Sequence, residues 1–255
     1  MVSIYSDTDW KDIIPHVPPG FDKTKYNTIF DQHSHTIFSD GKLTVKQNVE
    51  WHIAMGYNAL AITDHNNMRH LEVIEKVRKE YSDQKIVILS GIEWTTSRIH
   101  LNFIGVNKWH SKIPMRPKDQ NIIDAINEAH DQGAIVVCDH IPWSINEFNM
   151  KTHPSCEALL EWGVDFFEIV NDDSLPENVY DEETFDFCQL HKGEVGILTG
   201  TDMHKPDGLV SGGVHGWTIM NIPEFTEEAL MYELKKKNIE IIYSETPYLD
   251  PGFHH

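Results

Sequence analysis

The sequence is poor in basic residues and in cysteine. Its 255 residues include 21 Lys and Arg against 40 Asp and Glu, a formal net charge of −19 at pH 7. Clustered basic side chains are what hold a phosphate backbone, so this balance argues against broad contact with nucleic acid. The three cysteines, Cys138, Cys156 and Cys188, form no CxxC pair. They indicate neither a disulfide framework nor a thiolate zinc site, and they favour a reducing compartment.

Long apolar runs are also absent. The N-terminal segment MVSIYSDTDWKDIIPHVPPG lacks a basic start followed by an apolar run. No stretch approaches the roughly 18 consecutive apolar residues of a membrane span, so we expect a soluble, cytoplasmic protein with no membrane partner. A chain of 255 residues with 40% hydrophobic content can form one sizeable core. We expect a single domain over 1–255, with an N-terminal extension over 1–26, a barrel over 27–245 and a tail over 246–255.

Short apolar runs alternate with amphipathic segments, which is the pattern of a mostly parallel sheet covered by helices. Nine strands are predicted, over residues 27–35, 58–65, 85–94, 99–106, 134–140, 164–171, 196–204, 217–222 and 239–245. Six helices are predicted, over residues 44–56, 68–82, 120–132, 155–163, 181–192 and 226–237. The sequence therefore predicts an α/β fold.

Five of these strands end in His, Asp or Glu, in the segments DQHSH, ITDH, SGIE, VVCDH and TGTDMH. In α/β barrels the carboxyl ends of the strands build the active site. His100 opens its strand instead, and it faces the same end if that strand runs antiparallel to the preceding one. Nine side chains near these ends are suited to metal binding: His33, His35, Asp40, His65, Glu93, His100, His140, Asp202 and His204.

The order of these motifs resembles that of the polymerase and histidinol phosphatase family, known as the PHP family. The resemblance is carried by DQHSHTIFSDG, AITDHN, GIEWTT with IHLNFIG, VVCDHIP and TGTDMHKP, over residues 29–206. It implies a distorted (β/α)7 barrel of about seven strands. Each motif alone is weak, because two histidines at HxH spacing are common on protein surfaces, but the ordered set is specific.

The resemblance also implies three adjacent metal sites. Site 1 would use His33, His35, Glu93 and Asp202. Site 2 would share Glu93 as a bridge and add His100 and His140. Site 3 would use Asp40, His65 and His204; some family members carry His at the position of Asp40. Nitrogen and oxygen ligands without thiolate suit Zn, Mn or Fe(II), so two or three divalent ions are the expected cofactors.

The expected function is metal-dependent hydrolysis of a phosphate monoester of a small metabolite or nucleotide. Two ions roughly 3.5 to 4 Å apart lower the pKa of a bridging water toward ~7, which makes a metal-bridging hydroxide the expected nucleophile. Three alternatives remain open. They are a phosphodiesterase or 3′–5′ exonuclease acting on nucleic acid, an amidohydrolase-like metal-dependent hydrolase, and a binding module with a decayed site. The acidic balance disfavours the first, Glu93 in place of a bridging carbamylated Lys disfavours the second, and nine retained ligands disfavour the third.

Other residues receive weaker predictions. Asp64, beside His65, is a candidate for orienting a ligand imidazole, with a strand-end turn as the alternative. Substrate contact is predicted for Arg98, Glu168, Asn171 and Lys205. For Arg98 and Lys205, a solvated charge is the alternative.

Aromatic and further histidine positions complete the set of candidates. Trp94 and Trp143 are candidates for stacking on substrate, although core packing is the usual role of tryptophan. Segments 142–154 and 172–181 are predicted to be specificity loops. Five histidines are expected to pack or lie at the surface instead of binding metal: His52, His70, His130, His191 and His215.

Overall fold

One β-sheet organises residues 17–205 and 209–248, the part of the chain that this computed structural model describes. Its nine strands are β1 (Thr28–Asp31), β2 (Ala59–Ile62), β3 (Val87–Thr95), β4 (His100–Ile104), β5 (Ile135–Cys138), β6 (Phe166–Asn171), β7 (Gly196–Gly200), β8 (Val214–Met220) and β9 (Glu240–Tyr248). The helices are α1 (Val45–Ala54), α2 (Leu71–Glu80), α3 (Asp119–Asp131), α4 (Cys156–Trp162), α5 (Glu182–Leu190) and α6 (Glu227–Lys235). The predicted extension and tail fall partly on residues 1–16 and 249–255, outside the described residues.

The strand order is β7-β6-β5-β4-β3-β2-β1-β8-β9. Strands β1 to β3 are parallel, β5 to β7 are parallel, and β4 runs antiparallel to both of its neighbours, which is the condition under which His100 faces the same end as the other candidates. The sheet curls into a nearly closed barrel in which β7, at one end of this order, contacts β8, the second strand from the other end: Thr199 N donates to Thr218 Oγ1 at 3.0 Å. The predicted α/β barrel is confirmed. The sheet has nine strands, as the apolar pattern predicts, and not the seven that the resemblance implies. The two additional strands are β8 and β9, which pair antiparallel with their neighbours.

Side-chain alternation along the strands fills the barrel and covers its outside. In β2, Ala59 and Ala61 belong to an apolar cluster with Phe30, whereas Leu60 and Ile62 belong to a separate cluster that includes residues of α1 and α2. Successive strand residues point to opposite faces, which explains this division. Because side chains fill the interior, a ligand can be held only at the ends of the strands. None of the helices described is both long and apolar enough to cross a membrane.

Helix ends follow local sequence signals. Thr44 and Gln47 form a capping box at the start of α1, in which each side chain binds the other residue's backbone. Gly163 ends α4 in a left-handed conformation with φ 100°, which costs glycine little. Two short turns that the periodicity does not predict are a π-helix at Trp143–Glu147 and a 3-10 helix at Pro176–Asn178.

Four strands end earlier than predicted, just before the metal-binding candidates. Strands β1, β2, β5 and β7 stop at Asp31, Ile62, Cys138 and Gly200. Beyond them, backbone amides bind side chains in place of a neighbouring strand: His33 N donates to Asp31 Oδ1 at 3.2 Å, and His140 N donates to Glu168 Oε2 at 2.9 Å. The predictions of strand through residues 35, 65, 140 and 204 were therefore wrong at their ends.

Asp31 is the buried carboxylate that joins two of these strand ends. Besides the amide of His33, its Oδ1 accepts a hydrogen bond from Thr201 N at 3.1 Å. Its Oδ2 lies 2.9 Å from His52 Nε2 of α1 and accepts the Thr201 hydroxyl. His52 thus has the packing role predicted for it. Asp31 holds the segments before His33 and Asp202 in place.

We expect Asp31→Ala to lower the free energy of unfolding by about 3–5 kcal/mol, because it leaves buried donors and the His52 imidazole without their partner. Glu240→Gln is the control. Glu240 pairs with Lys25 at 2.8 Å, but both side chains are more than half exposed, so its loss costs about 0–1 kcal/mol. Urea denaturation of both variants measures the difference. Equal losses would show that Asp31 does not hold the strand ends.

Candidate metal centre

The structure brings all nine predicted metal-binding side chains together at the carboxyl end of the barrel. They border a cavity of about 490 Å³, seven of them on its wall: Asp40, His65, Glu93, His100, His140, Asp202 and His204. His33 and His35 are fully buried beside them. The residues come from the ends of five strands and from the start of β4, so the fold alone unites groups that are far apart in sequence.

The four residues of site 1 direct ligand atoms at one another. His33 Nε2 lies 3.2 Å from Asp202 Oδ1 and 3.5 Å from Glu93 Oε2. His35 Nε2 lies 2.9 and 3.3 Å from the same two oxygens. All four atoms are buried, and none has a hydrogen-bond partner among the described residues. Buried polar atoms are almost always satisfied in folded proteins, so this arrangement fits a bound cation.

Site 2 lies on the other side of the Glu93 carboxylate. Glu93 Oε1 is 2.7 Å from His100 Nδ1 and 3.5 Å from His140 Nε2. Neither Glu93 oxygen has a hydrogen-bond partner within the described chain. One carboxylate therefore faces two groups of imidazoles, one with each oxygen, which is the geometry required of a bridging ligand.

Site 3 is the most exposed of the three. His65 Nε2 lies 3.4 Å from Asp40 Oδ2, and His204 Nε2 lies 3.3 Å from Asp40 Oδ1. The Asp40 side chain is 57% exposed. The ligand atoms of His35, Asp40, His65 and His204 lie within 4.8 Å of one another. His35 of site 1 is therefore also close enough to bind an ion in site 3, and the two sites are adjacent.

Negative charge dominates the electrostatics of the centre. Burial lowers the pKa of an imidazole, but the charge of Glu93 and the hydrogen bonds to Asp40 and Glu93 together outweigh burial at His65 and raise its pKa to about 10. At His204 the charge of Asp202 and the hydrogen bonds to Asp173 and Asp40 together outweigh burial and raise the pKa to about 11. His35 differs, since burial and the neighbouring His204 lower its pKa to about 4. It is therefore neutral at pH 7, the form in which histidine binds metal.

Glu168 and Asn171 lie behind the metal-binding side chains. Glu168 Oε1 is 3.1 Å from His33 Nδ1, and its Oε2 binds the amide of His140. Asn171 Nδ2 donates to Glu168 Oε2 at 3.0 Å and to Asp202 Oδ2 at 3.2 Å. Such contacts fix the orientation of ligands. Both side chains are buried and neither lines the cavity, so the substrate contact predicted for them stays a prediction.

Three further residues of the site escaped sequence reasoning. Gln32 donates to Glu168 Oε1 at 2.7 Å, a contact that no motif signals. Gly200 leaves room for that carboxylate, because a Cβ there would lie 1.9 Å from Glu168 Oε1. Asp173 lines the cavity with its Oδ2 3.2 Å from His204 Nδ1. The sequence could have identified Asp173, because this residue follows the end of a strand as the other acidic candidates do.

Asp64 orients a loop and not one of the nine candidate ligands. Its carboxylate accepts hydrogen bonds from Thr36 N at 2.8 Å and from the Ser39 hydroxyl at 2.6 Å. The imidazole that it contacts is His70, with Nδ1 at 2.9 Å. The turn role is the one that this geometry supports, and it fixes the loop between His35 and Asp40.

Two basic residues predicted to bind substrate do not line the cavity. The Arg98 guanidinium donates to Thr152 O at 2.7 Å and pairs with Asp119 at 2.6 Å. Lys205 is exposed beside His204. Phosphate contact by either residue stays a prediction.

The two tryptophans separate as strand alternation requires. Trp94 follows Glu93 in β3 and so points to the opposite face, where it is buried against Phe103. Trp143 lines the cavity. His215 was expected to pack and not to bind metal, and its Nδ1 lies 3.2 Å from Asp172 Oδ1, outside the set of nine ligands.

Comparisons with known proteins agree with this architecture. Residues 31–244 match the family model of the PHP domain. A solved two-domain protein from Bacteroides vulgatus, described as containing a predicted PHP-like metal-dependent phosphoesterase, superposes with a TM-score of 0.64 at 21% identity, over 86% of this chain and 65% of the other. A candidate metal-dependent phosphoesterase from Bifidobacterium adolescentis gives 0.54 at 19% identity, over 71% and 90%. At such identities these likenesses show the fold alone.

Sequence relatives match over shorter segments. The 5′-3′ exoribonuclease Rnm of Salmonella typhimurium is 36% identical over 90 residues, which are 33% of this chain and 29% of that protein. A 5′-3′ exoribonuclease of Haemophilus influenzae is 31% identical over 88 residues, 33% and 31% of the two chains. The match thus spans less than a third of each relative.

The bridging position of Glu93 predicts how metal content responds to substitution. We expect Glu93→Gln to lose the ions of sites 1 and 2, since both depend on its negative charge, and Asp40→Ala to lose at most one ion, since Asp40 pairs with His65 and His204 of site 3. Mass spectrometry of metals after dialysis gives the number of ions per chain. Glu80→Gln, at an exposed residue paired with Lys46, is the control and should change nothing. Unchanged content in Glu93→Gln would contradict the assignment.

Proposed function

The chain belongs to the PHP domain family, and from that premise we propose that it is a metal-dependent phosphatase that hydrolyses a phosphate monoester of a small metabolite or nucleotide. The observation that carries this proposal is the buried Glu93 carboxylate, whose two unpartnered oxygens face separate groups of histidines. The proposed ligands are those of sites 1, 2 and 3 as defined above.

The donor set fits two or three divalent cations. It combines six imidazoles with three carboxylates and no thiolate, which suits Zn, Mn or Fe(II). When bound, such ions activate water and offset the charge on phosphoryl oxygens. The chain's own part is to hold these side chains in place: Glu168 orients His33, and Asn171 orients the Asp202 carboxylate.

Side chains on the described cavity wall offer no free nucleophile. No cysteine lines it, and its three hydroxyl groups are already engaged. Thr95 Oγ1 lies 2.6 Å from His65 Nδ1, Thr96 Oγ1 donates to Ile99 O, and Ser97 Oγ donates to Met115 O. This supports attack by water and not a covalent intermediate on the enzyme. No lysine is present there to serve as an amidohydrolase-type bridge, so that alternative gains no support.

A nuclease is the second candidate, because the curated relatives are named 5′-3′ exoribonucleases. Two observations favour a small substrate instead. The described cavity wall carries no Lys or Arg, and the whole chain has a net charge of −19. A long RNA chain needs basic side chains to offset its successive phosphates, whereas a single phosphoryl group can be held by the metal ions.

Hydrolysis of matched esters tests the proposal. We expect metal-loaded protein to release phosphate from nucleoside monophosphates or sugar phosphates, and to lose this activity after chelation and in the Glu93→Gln variant. Bis(p-nitrophenyl) phosphate and 5′-phosphorylated single-stranded RNA are the competing substrates. Faster release of nucleotides from RNA than of phosphate from monoesters would favour the nuclease. No turnover of any ester would refute the proposal.

A further inference from the structure

One wall of the cavity is apolar and aromatic. Trp143, Phe148 and Met115 line it together with the metal-binding histidines. Phe148 is 57% exposed and Met115 is 74% exposed. Single exposed apolar side chains are ordinary on protein surfaces, but these two share a cavity with a metal centre. Their position matters because any leaving group attached to a phosphate at the metals must lie close to them.

A π-helical turn creates the aromatic pair. The backbone of Trp143–Glu147 is π-helical, and Phe148 N donates to Trp143 O at 2.9 Å, five residues back. This bond brings the two rings into register, with centroids 5.2 Å apart and planes at 14°. Such turns are rare and often occur at functional sites. The Phe148 ring is thus a rigid extension of the indole.

The indole in turn rests on site 2. The Trp143 ring centroid lies 4.9 Å from that of His140 and 5.5 Å from that of His100. A continuous series of rings therefore leads from the imidazoles of site 2, through Trp143, to the half-exposed ring of Phe148. Phe148, the outermost ring of this series, is 57% exposed and can therefore contact a ligand.

The loops that carry this wall are tied down. Ser97 donates to Met115 O through its amide at 2.9 Å and its hydroxyl at 2.7 Å. Arg98 binds Pro117 O at 3.3 Å and Thr152 O at 2.7 Å, which joins the loop of Met115 to the loop that follows Phe148. A wall fixed before substrate arrives loses little conformational entropy on binding.

We propose that Phe148, stacked on Trp143, is a stacking surface for a planar ring in the leaving group, so that nucleoside monophosphates are preferred over phosphates without a base. This rests on the proposed phosphatase function and narrows its substrate class. Among the described residues, the cavity wall has no Lys or Arg to hold a second phosphate, whereas an uncharged planar ring matches the apolar face. Phe148 is then a specificity-determining residue.

The test compares two esters that differ only in the base, adenosine 5′-monophosphate and ribose 5-phosphate. Base stacking on an aromatic side chain corresponds to a factor of roughly 5 to 150 per base, so Phe148→Ala should lower kcat/KM for the nucleotide by about that factor. It should leave ribose 5-phosphate within about twofold. Phe148→Tyr should keep the preference, and Phe148→Leu, which is apolar but not aromatic, should lose most of it. Leu190→Ala, at an 85% exposed residue of α5, is the control.

The outcomes separate this inference from the function on which it rests. Equal losses on both esters would show that Phe148 supports the site without stacking on a base, and no loss on either would show that the ring makes no contact; both overturn the inference while phosphatase activity stands. If the wild-type protein hydrolyses neither these two esters nor any other phosphate ester, the phosphatase proposal fails. In that case, calorimetric Kd values for the same two compounds test the stacking surface without catalysis. A Kd for the nucleotide that Phe148→Ala does not raise would overturn the inference.

Discussion

The buried Glu93 carboxylate is the group around which this end of the barrel is arranged. Both oxygens are shielded from water, neither accepts a hydrogen bond within the described chain, and imidazoles surround them at 2.7 to 3.5 Å. Burial raises the pKa of a carboxyl group, yet the charges of His65 and His100 hold the pKa of Glu93 well below its usual range. Buried ionisable atoms without hydrogen bonds, such as the two Glu93 oxygens, are costly, and a bound cation offsets that cost.

The backbone accommodates this cluster through local strain. His140 and Asp202 adopt positive φ values of 28° and 52°, which cost non-glycine residues on the order of 1–3 kcal/mol each. Such conformations persist where surrounding contacts over-determine them. Glu168 binds the His140 amide, and the Asp202 amide donates to His33 O at 3.0 Å. Glu168 and Asp31, two buried carboxylates outside the ligand set, thus bind both backbone amides and side-chain donors, and they hold the strand ends in place beside the cavity.

Sequence reasoning succeeded where chemistry depends on residue type and order. The alternation of apolar runs predicted every strand and α-helix described, and the polar residues that interrupt those runs predicted the cluster. Sequence reasoning failed where a single hydrogen bond determines the local backbone conformation. The strand predicted through His35 stops at Asp31 because that side chain captures backbone donors. The π-turn that stacks Phe148 depends on a single five-residue backbone bond. Trp94 was foreseeable, since alternation from Glu93 turns it away from the cavity.

Charge explains how such an acidic protein can handle an anionic substrate. The chain has a net charge of −19 and no Lys or Arg on the described cavity wall, so its long-range electrostatics disfavour the approach of a phosphate ester. In the proposed function, divalent ions at the clustered ligands supply the positive charge that binds the phosphate, so phosphate recognition depends on metal occupancy. The rest of the ester would then meet a described surface without Lys or Arg, which leaves shape and the proposed stacking against Phe148 to distinguish one leaving group from another. In this proposal the metals select for phosphate, and the aromatic wall selects among phosphate esters.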